Sequence, residues 1–278
     1  CEYEVEYGKS TAYQSEQDLE NELIEQLKGM NYEYLNIKNE DALIANLRER
    51  IEQLNNIKLT DGEWKRLFGD IIASRNMGIV EKTVLMQKKD CHVVNITLDS
   101  GQTKNIYLID KGNIHKNSLQ VINQYVAPSE GVENPAARHN RYDVTILVNG
   151  LPLVHIELKR RGVDIKEAFN QINRYQRDSF WSGCGLFEYV QVFVISNGTQ
   201  TKYYSNTTRW QHIGQQKNSN PKRKQTSNSY EFTSWWSDTD NQPLTDLRDF
   251  ATTFFARHTI LNLLTKYCVL DSDNNLLV

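Results

Sequence analysis

Between Arg141 and Lys159 the chain reads RYDVTILVNGLPLVHIELK, two alternating runs joined at Asn149-Gly150, and this segment restricts the fold more than any other. Asn-Gly between alternating apolar runs is a strong hairpin signal, because both residues tolerate the positive φ that a tight turn requires. By parity the apolar set is Val144, Ile146 and Val148 on the first limb and Val154, Ile156 and Leu158 on the second, all even positions. Side chains alternate along a strand, so Asp143, Thr145, His155, Glu157 and Lys159 fall on the opposite, polar face.

Directly opposed residues of an antiparallel pair share a face, so partner numbers must sum to an even number if both apolar sets are to meet one core. A two-residue Asn149-Gly150 turn by itself gives an odd sum and sets Val144 against His155. The pattern therefore predicts a three-residue connection or a bulge between Gly150 and Pro152. In the even register that follows, Asp143 stands across from Glu157 at the ~4.5–5.5 Å Cβ spacing of facing residues. Two carboxylates so close repel unless a cation lies between them, and an all-oxygen donor set of few protein ligands suits Mg²⁺. Lys159, two residues from Glu157 on the same face, adds an ammonium able to orient water and to stabilise charge developing on a phosphate. The competing reading is an ordinary solvated hairpin whose Asp, Glu and Lys pair weakly at the surface.

The flanking pattern puts this hairpin in an α/β context. Leu19, Leu23, Ile24 and Leu27 recur at helical spacing over residues 15–28, with Ser15 as N-cap and Asp18 three residues on. Further helices are expected from about Glu40 to Asn55 and from about Asp61 to Ala73. From Val93 the pattern turns to strands, in VVNITL, TKNIYLI and LQVINQYV. After the hairpin come a helix from Asp164 to about Arg177, the nearly all-apolar VQVFVISNG from Val190, and TKYYSN from Thr201. The order is strand, strand, helix, strand, strand. A polar, basic loop spans Gly214 to Ser229, and two helices are expected in the last forty residues, built on Leu247, Phe250, Phe254, Phe255, Leu261 and Leu264.

Composition removes several function classes. The chain has 278 residues, 39% apolar and 24% charged, enough for a sizeable core. Its apolar runs fall well short of the ~20 residues a membrane span needs, and no secretory signal opens it, so a cytoplasmic location is expected. Cys1, Cys91, Cys184 and Cys268 lie far apart with no CxxC pair, which disfavours a zinc site or a disulfide framework. A net charge of −3 gives no global pull toward nucleic acid, so DNA contact must rely on local basic clusters. The cysteine start and the Leu-Leu-Val end read as a piece of a longer chain.

Asp143, thirteen residues, then Glu157-Leu158-Lys159, on a hairpin that leads into a helix and a central strand, resembles the PD-(D/E)xK nuclease family. The wording is narrower still: the Asn-Gly-Leu-Pro-Leu turn, the Ile-Glu-Leu-Lys end and the following AFNQINRY, with Gln171 and Tyr175 as a QxxxY element, look like type I restriction R (motor) subunits. The likeness runs from Glu16 to about Val278. Tyr142 stands where the family name has Pro, a variable position.

The resemblance implies a restriction-endonuclease-like mixed central sheet flanked by helices, with helical N-terminal and C-terminal additions. It implies an endonuclease domain over residues 1-243 and, over 244-278, C-terminal helices leading toward a helicase motor. Asp143, Glu157 and the Leu158 carbonyl would hold Mg²⁺, and Lys159 would orient the nucleophilic water for hydrolysis of DNA phosphodiesters to 5′-phosphate and 3′-hydroxyl ends. Glu20, with Glu22 as alternative, would be the family's glutamate on the first core helix. Gln171 and Tyr175, four apart and so on one helix face, would line the cleft. Arg160, Arg161 and Arg174 are the favoured phosphate contacts, with Arg177 and Lys222, Arg223 and Lys224 as further candidates.

No GxxxxGK[ST] phosphate loop occurs, so ATP is not expected to bind here, and neither is S-adenosylmethionine, which the complete enzyme uses. Implied partners are double-stranded DNA, the methyltransferase and specificity subunits, and the chain's own helicase motor. Two rivals remain: a repair or junction nuclease of the same superfamily, and a catalytically idle docking module.

Overall fold

The computed structural model describes residues 14–88, 92–128, 140–206 and 230–268, and the backbone of two short strands, Leu270–Asp271 and Leu276–Leu277. Cys1, Cys91 and the Lys222, Arg223 and Lys224 cluster lie outside the described residues.

The expected first helix forms as α1, Glu16–Gly29, opened by a capping box in which Ser15 and Asp18 satisfy each other's backbone N–H groups. It buries Leu19, Leu23, Ile24 and Leu27. Helix α2 spans Glu40–Asn55 behind the N-cap Asn39. Helix α3, Asp61–Arg66, begins at a Thr60–Glu63 capping box and relaxes into a π-helical turn over Leu67–Ile72. A fourth helix, α4 (Ile79–Gln87), was not expected; in its sequence IVEKTVLMQ the apolar residues are too evenly spread to mark one face.

The centre is a six-stranded mixed sheet in the order β1-β4-β5-β6-β7-β8. These strands are Glu33–Tyr34 (β1), Leu119–Val126 (β4), Arg141–Val148 (β5), Leu151–Leu158 (β6), Val192–Ser196 (β7) and Thr201–Ser205 (β8). The outer pair β1–β4 and the inner pair β6–β7 are parallel, and the others antiparallel. Strands β2 (Val93–Thr97) and β3 (Thr103–Tyr107) form a separate ribbon. The observed architecture is therefore the mixed sheet flanked by helices that the resemblance implies.

Helix α5, Lys166–Asp178, crosses from β6 to β7 and starts two residues later than expected, because the Asp164 side chain accepts from the Lys166 backbone N–H at 2.9 Å. It covers the sheet face of Thr145, His155, Phe193 and Tyr204, with Tyr175 and Phe169 against those rings. On the opposite face lies α1, whose Glu20 reaches Asn123, the ladder partner of Val144. Both faces are thus covered. The polar face of the hairpin is buried, with His155 and Glu157 each 0% exposed, so the competing reading of a solvated hairpin does not hold there.

Two C-terminal helices, α6 (Leu247–Phe254) and α7 (Arg257–Asn262), pack back on the body. Gln26 donates to the Arg248 carbonyl at 2.8 Å and Tyr32 to that of Phe255 at 2.7 Å. Among the described residues no helix is long and apolar enough to cross a membrane.

Candidate active site

The hairpin solves its register problem with a bulge and not with a three-residue connection. Val148 pairs with Leu151 and Leu147 with Pro152 around a two-residue Asn149-Gly150 turn, and the ladder then shifts so that Ile146 faces Val154, Thr145 faces His155 and Val144 faces Ile156. The extra residue is Leu153, one position beyond the expected window. Asn149 and Gly150 both take positive φ, 51° and 82°. Past the bulge the register is the even one, with Val144 across from Ile156, and Asp143 beside it comes within electrostatic reach of Glu157. Without the bulge Asp143 would face Ile156.

A second irregularity lies beside Asp143. Gln124, its neighbour on β4, has a left-handed backbone (φ 53°), and the β4–β5 ladder skips from Asn123–Val144 to Tyr125–Tyr142. Alternation is reset there. Tyr142 swings onto the α5 side, packing edge-on against His155 at 5.5 Å, Phe180 at 5.1 Å and Phe187 at 4.6 Å. This aromatic wall closes the inner end of the site.

At the outer end an open cleft of about 690 Å³ is lined by Glu16, Val126, Asn140, Arg141, Asp143, Gln171, Arg174 and Tyr175. Asp143 Oδ2 accepts from the Leu158 backbone N–H at 2.9 Å. Glu157 lies behind it, with Oε1 3.4 Å from Lys159 Nζ and Oε2 3.4 Å from His155 Nε2. Lys159 Nζ also donates to the Leu158 carbonyl at 2.9 Å and stands 3.8 Å from Glu16. Burial pushes Glu157 up to about 8, against the partial relief given by Lys159. Burial, then repulsion from Glu157, raises Asp143 well above the usual carboxylate range. Burial drives His155 down to about 4, so the imidazole is uncharged at neutral pH.

A divalent cation fits these residues. Two buried acids disfavour ionisation in each other's presence, and Glu157 Oε2 is buried with no hydrogen-bond partner. Among the described residues no group of three or more His, Cys, Asp or Glu is arranged to hold a metal ion by itself, so a cation would draw on the two carboxylates, a backbone carbonyl and water. The Leu158 carbonyl expected to bind it is held by the Lys159 ammonium.

Other candidates are placed as follows. Gln171 donates to the Tyr175 hydroxyl, which donates to the Arg141 carbonyl at 2.8 Å. Arg174 is exposed on the cleft with its guanidinium 5.5 Å from the Tyr175 ring. Glu20 does not line the cleft; its carboxylate takes the side-chain amides of Asn123 and Gln124. Glu22 binds Gln14 at 2.6 Å. Arg160 is exposed away from the cleft lining, and Arg161 binds Gln14 at 2.8 Å and approaches Asp246 at 3.9 Å, joining the body to the start of α6. Arg177 pairs with Asp178 at 2.7 Å. The sequence reading missed Glu16 and Arg141. Arg141 carried a signal, since it shares strand parity with Asp143.

Residues 13–212 match the family model described as type I restriction enzyme R protein N terminus. The chain belongs to that family. It is 46% identical over 277 residues to the type I restriction enzyme EcoprrI endonuclease subunit of Escherichia coli, covering 99% of this chain and 81% of that protein. It is 36% identical over 273 residues to the SsaAORF53P endonuclease subunit of Staphylococcus saprophyticus, covering 96% of this chain and 26% of that protein. A shorter match, 34% over 111 residues, joins this R-protein domain to the putative MjaIXP endonuclease subunit of Methanocaldococcus jannaschii, covering 39% of this chain and 10% of that protein. The chain thus spans about a quarter of the length of its staphylococcal relative.

Proposed function

We propose that this chain is the Mg²⁺-dependent endonuclease domain of a type I restriction enzyme R subunit, hydrolysing DNA phosphodiester bonds with water. One observation carries the reading. In a chain of this family, one acid from each limb of a bulged ribbon and an adjacent ammonium meet at the inner end of a cleft that carries Arg141 and Arg174 at its mouth.

Asp143 and Glu157 would hold the cation, with the Leu158 carbonyl as a third donor once Lys159 releases it. When bound, the cation supplies Lewis acidity toward the scissile phosphate and lowers the pKa of water. Lys159, freed from Leu158, orients the attacking water and offsets charge developing on the phosphate. Arg141 and Arg174 grip the DNA backbone, and Gln171, through the Tyr175 hydroxyl, fixes the β5 end from which Arg141 and Asp143 project. Sequence choice, ATP-driven movement of DNA and S-adenosylmethionine use belong to the rest of the complex: the motor, methyltransferase and specificity parts.

The test uses the full-length R subunit assembled with those partners. Asp143→Ala and Lys159→Ala should each abolish cleavage while ATP-driven translocation continues. Loss of assembly with cleavage intact in whatever complex forms would instead make this a docking module.

A further inference from the structure

Behind the two acids, two buried polar atoms without hydrogen-bond partners face each other. His155 Nε2 and Glu157 Oε2 lie 3.4 Å apart, and neither makes a hydrogen bond among the described residues. The pair stands close without forming a hydrogen bond, as groups awaiting a ligand commonly do. On the other side of the ring, Nδ1 is 3.3 Å from Thr145 Oγ1, directly across the ribbon. Tyr142, Tyr175 and Phe180 hold the imidazole edge-on at 5.5, 6.1 and 5.7 Å, so the ring cannot turn away.

An uncharged imidazole has one N–H and one bare nitrogen. Glu157 must be ionised to hold a cation. Only the tautomer with its proton on Nε2 then attracts Oε2; the other sets two lone pairs against each other. The Thr145 hydroxyl can donate to a bare Nδ1, which selects the attractive tautomer.

We propose that His155 is a positioning residue for the cation site: Thr145 fixes its tautomer, and its Nε2–H holds Glu157 Oε2 so that Oε1 faces the cation and Lys159. This rests on the cation-binding reading above. It gives a fully buried histidine, which touches neither cleft nor solvent, a defined task.

The purified chain should be titrated with Mn²⁺ by calorimetry, with melting followed in chelator. In His155→Gln the amide nitrogen reaches the place of Nε2, whereas in His155→Asn it reaches only that of Nδ1. His155→Gln should keep Mn²⁺ affinity within about threefold of wild type, and His155→Asn should weaken it roughly 10- to 100-fold, the range typical of groups that support metal ligands. Thr145→Val should weaken it and Thr145→Ser restore it, and this pair decides the matter if His155→Asn fails to fold. Equal affinity across the variants overturns the proposal, as does a loss that simply follows melting temperature. A wild-type chain that takes up no Mn²⁺ overturns both this proposal and the cation reading.

Discussion

Glu157 has no exposed surface, and that shapes how the metal-free protein responds to pH. Its carboxyl is raised from 4.5 to about 8 by burial, so between those values the folded protein keeps a proton that the unfolded chain has lost. This contribution to stability is complete below the unfolded value and is lost as pH rises through the folded one. Melting temperature in chelator should therefore fall as pH rises from about 5 to about 8. Glu157→Gln should flatten that slope and raise the melting temperature at pH 8, at roughly 2–4 °C per kcal/mol for a chain of this size. Lys159 makes the complementary case. Its ammonium occupies both Glu157 Oε1 and the Leu158 carbonyl, so it competes with any divalent ion for them. Lys159→Met should leave Mn²⁺ affinity unchanged or higher while lowering cleavage by the assembled enzyme at least ~10²-fold; calorimetry and a nicking assay separate the two effects.

The elements were legible in the sequence to different depths. Strand alternation sufficed for β5 and β6, because a one-residue slip would have put Val144 or Ile156 on the wrong face. It placed the bulge only approximately, since Pro152 and Leu153 satisfy the parity rule equally well. It could not show that the polar face is buried, because nothing local announces that α5 will cover it. Helix periodicity fixed the face of α1 but not the turn. Glu16 and Glu20 lie four apart on that face, and only the position of the β4 amides decides which of them reaches the cleft. The turn itself is a firm prediction. A Cβ on Gly150 would stand 2.6 Å from the Leu47 Cα of α2, at a φ of 82°. Gly150→Ala should cost about 2–4 kcal/mol, seen as a lower urea midpoint, since neither backbone can give way cheaply.

For the molecule as a whole, charge is the limiting quantity for DNA contact. With a net charge of −3 the surface offers no general attraction, and in the function proposed above the described cleft contributes Arg141 and Arg174 as phosphate contacts. Logarithmic plots of DNA affinity against salt should therefore have a shallow slope, about −2, and Arg141→Ala should reduce it by about one. The sheet carries a different consequence. One edge strand, β1, is two residues long, and the other, β8, is bridged by Ser234, which exchanges backbone hydrogen bonds with Tyr203 at 3.0 and 2.8 Å. Among the described residues neither border of the six-stranded sheet presents a long unpaired backbone row on which a foreign strand could template itself. A neighbouring subunit that grips the six-stranded body would do so by side-chain complementarity over helices and connecting segments, so its footprint is open to mapping by surface substitution.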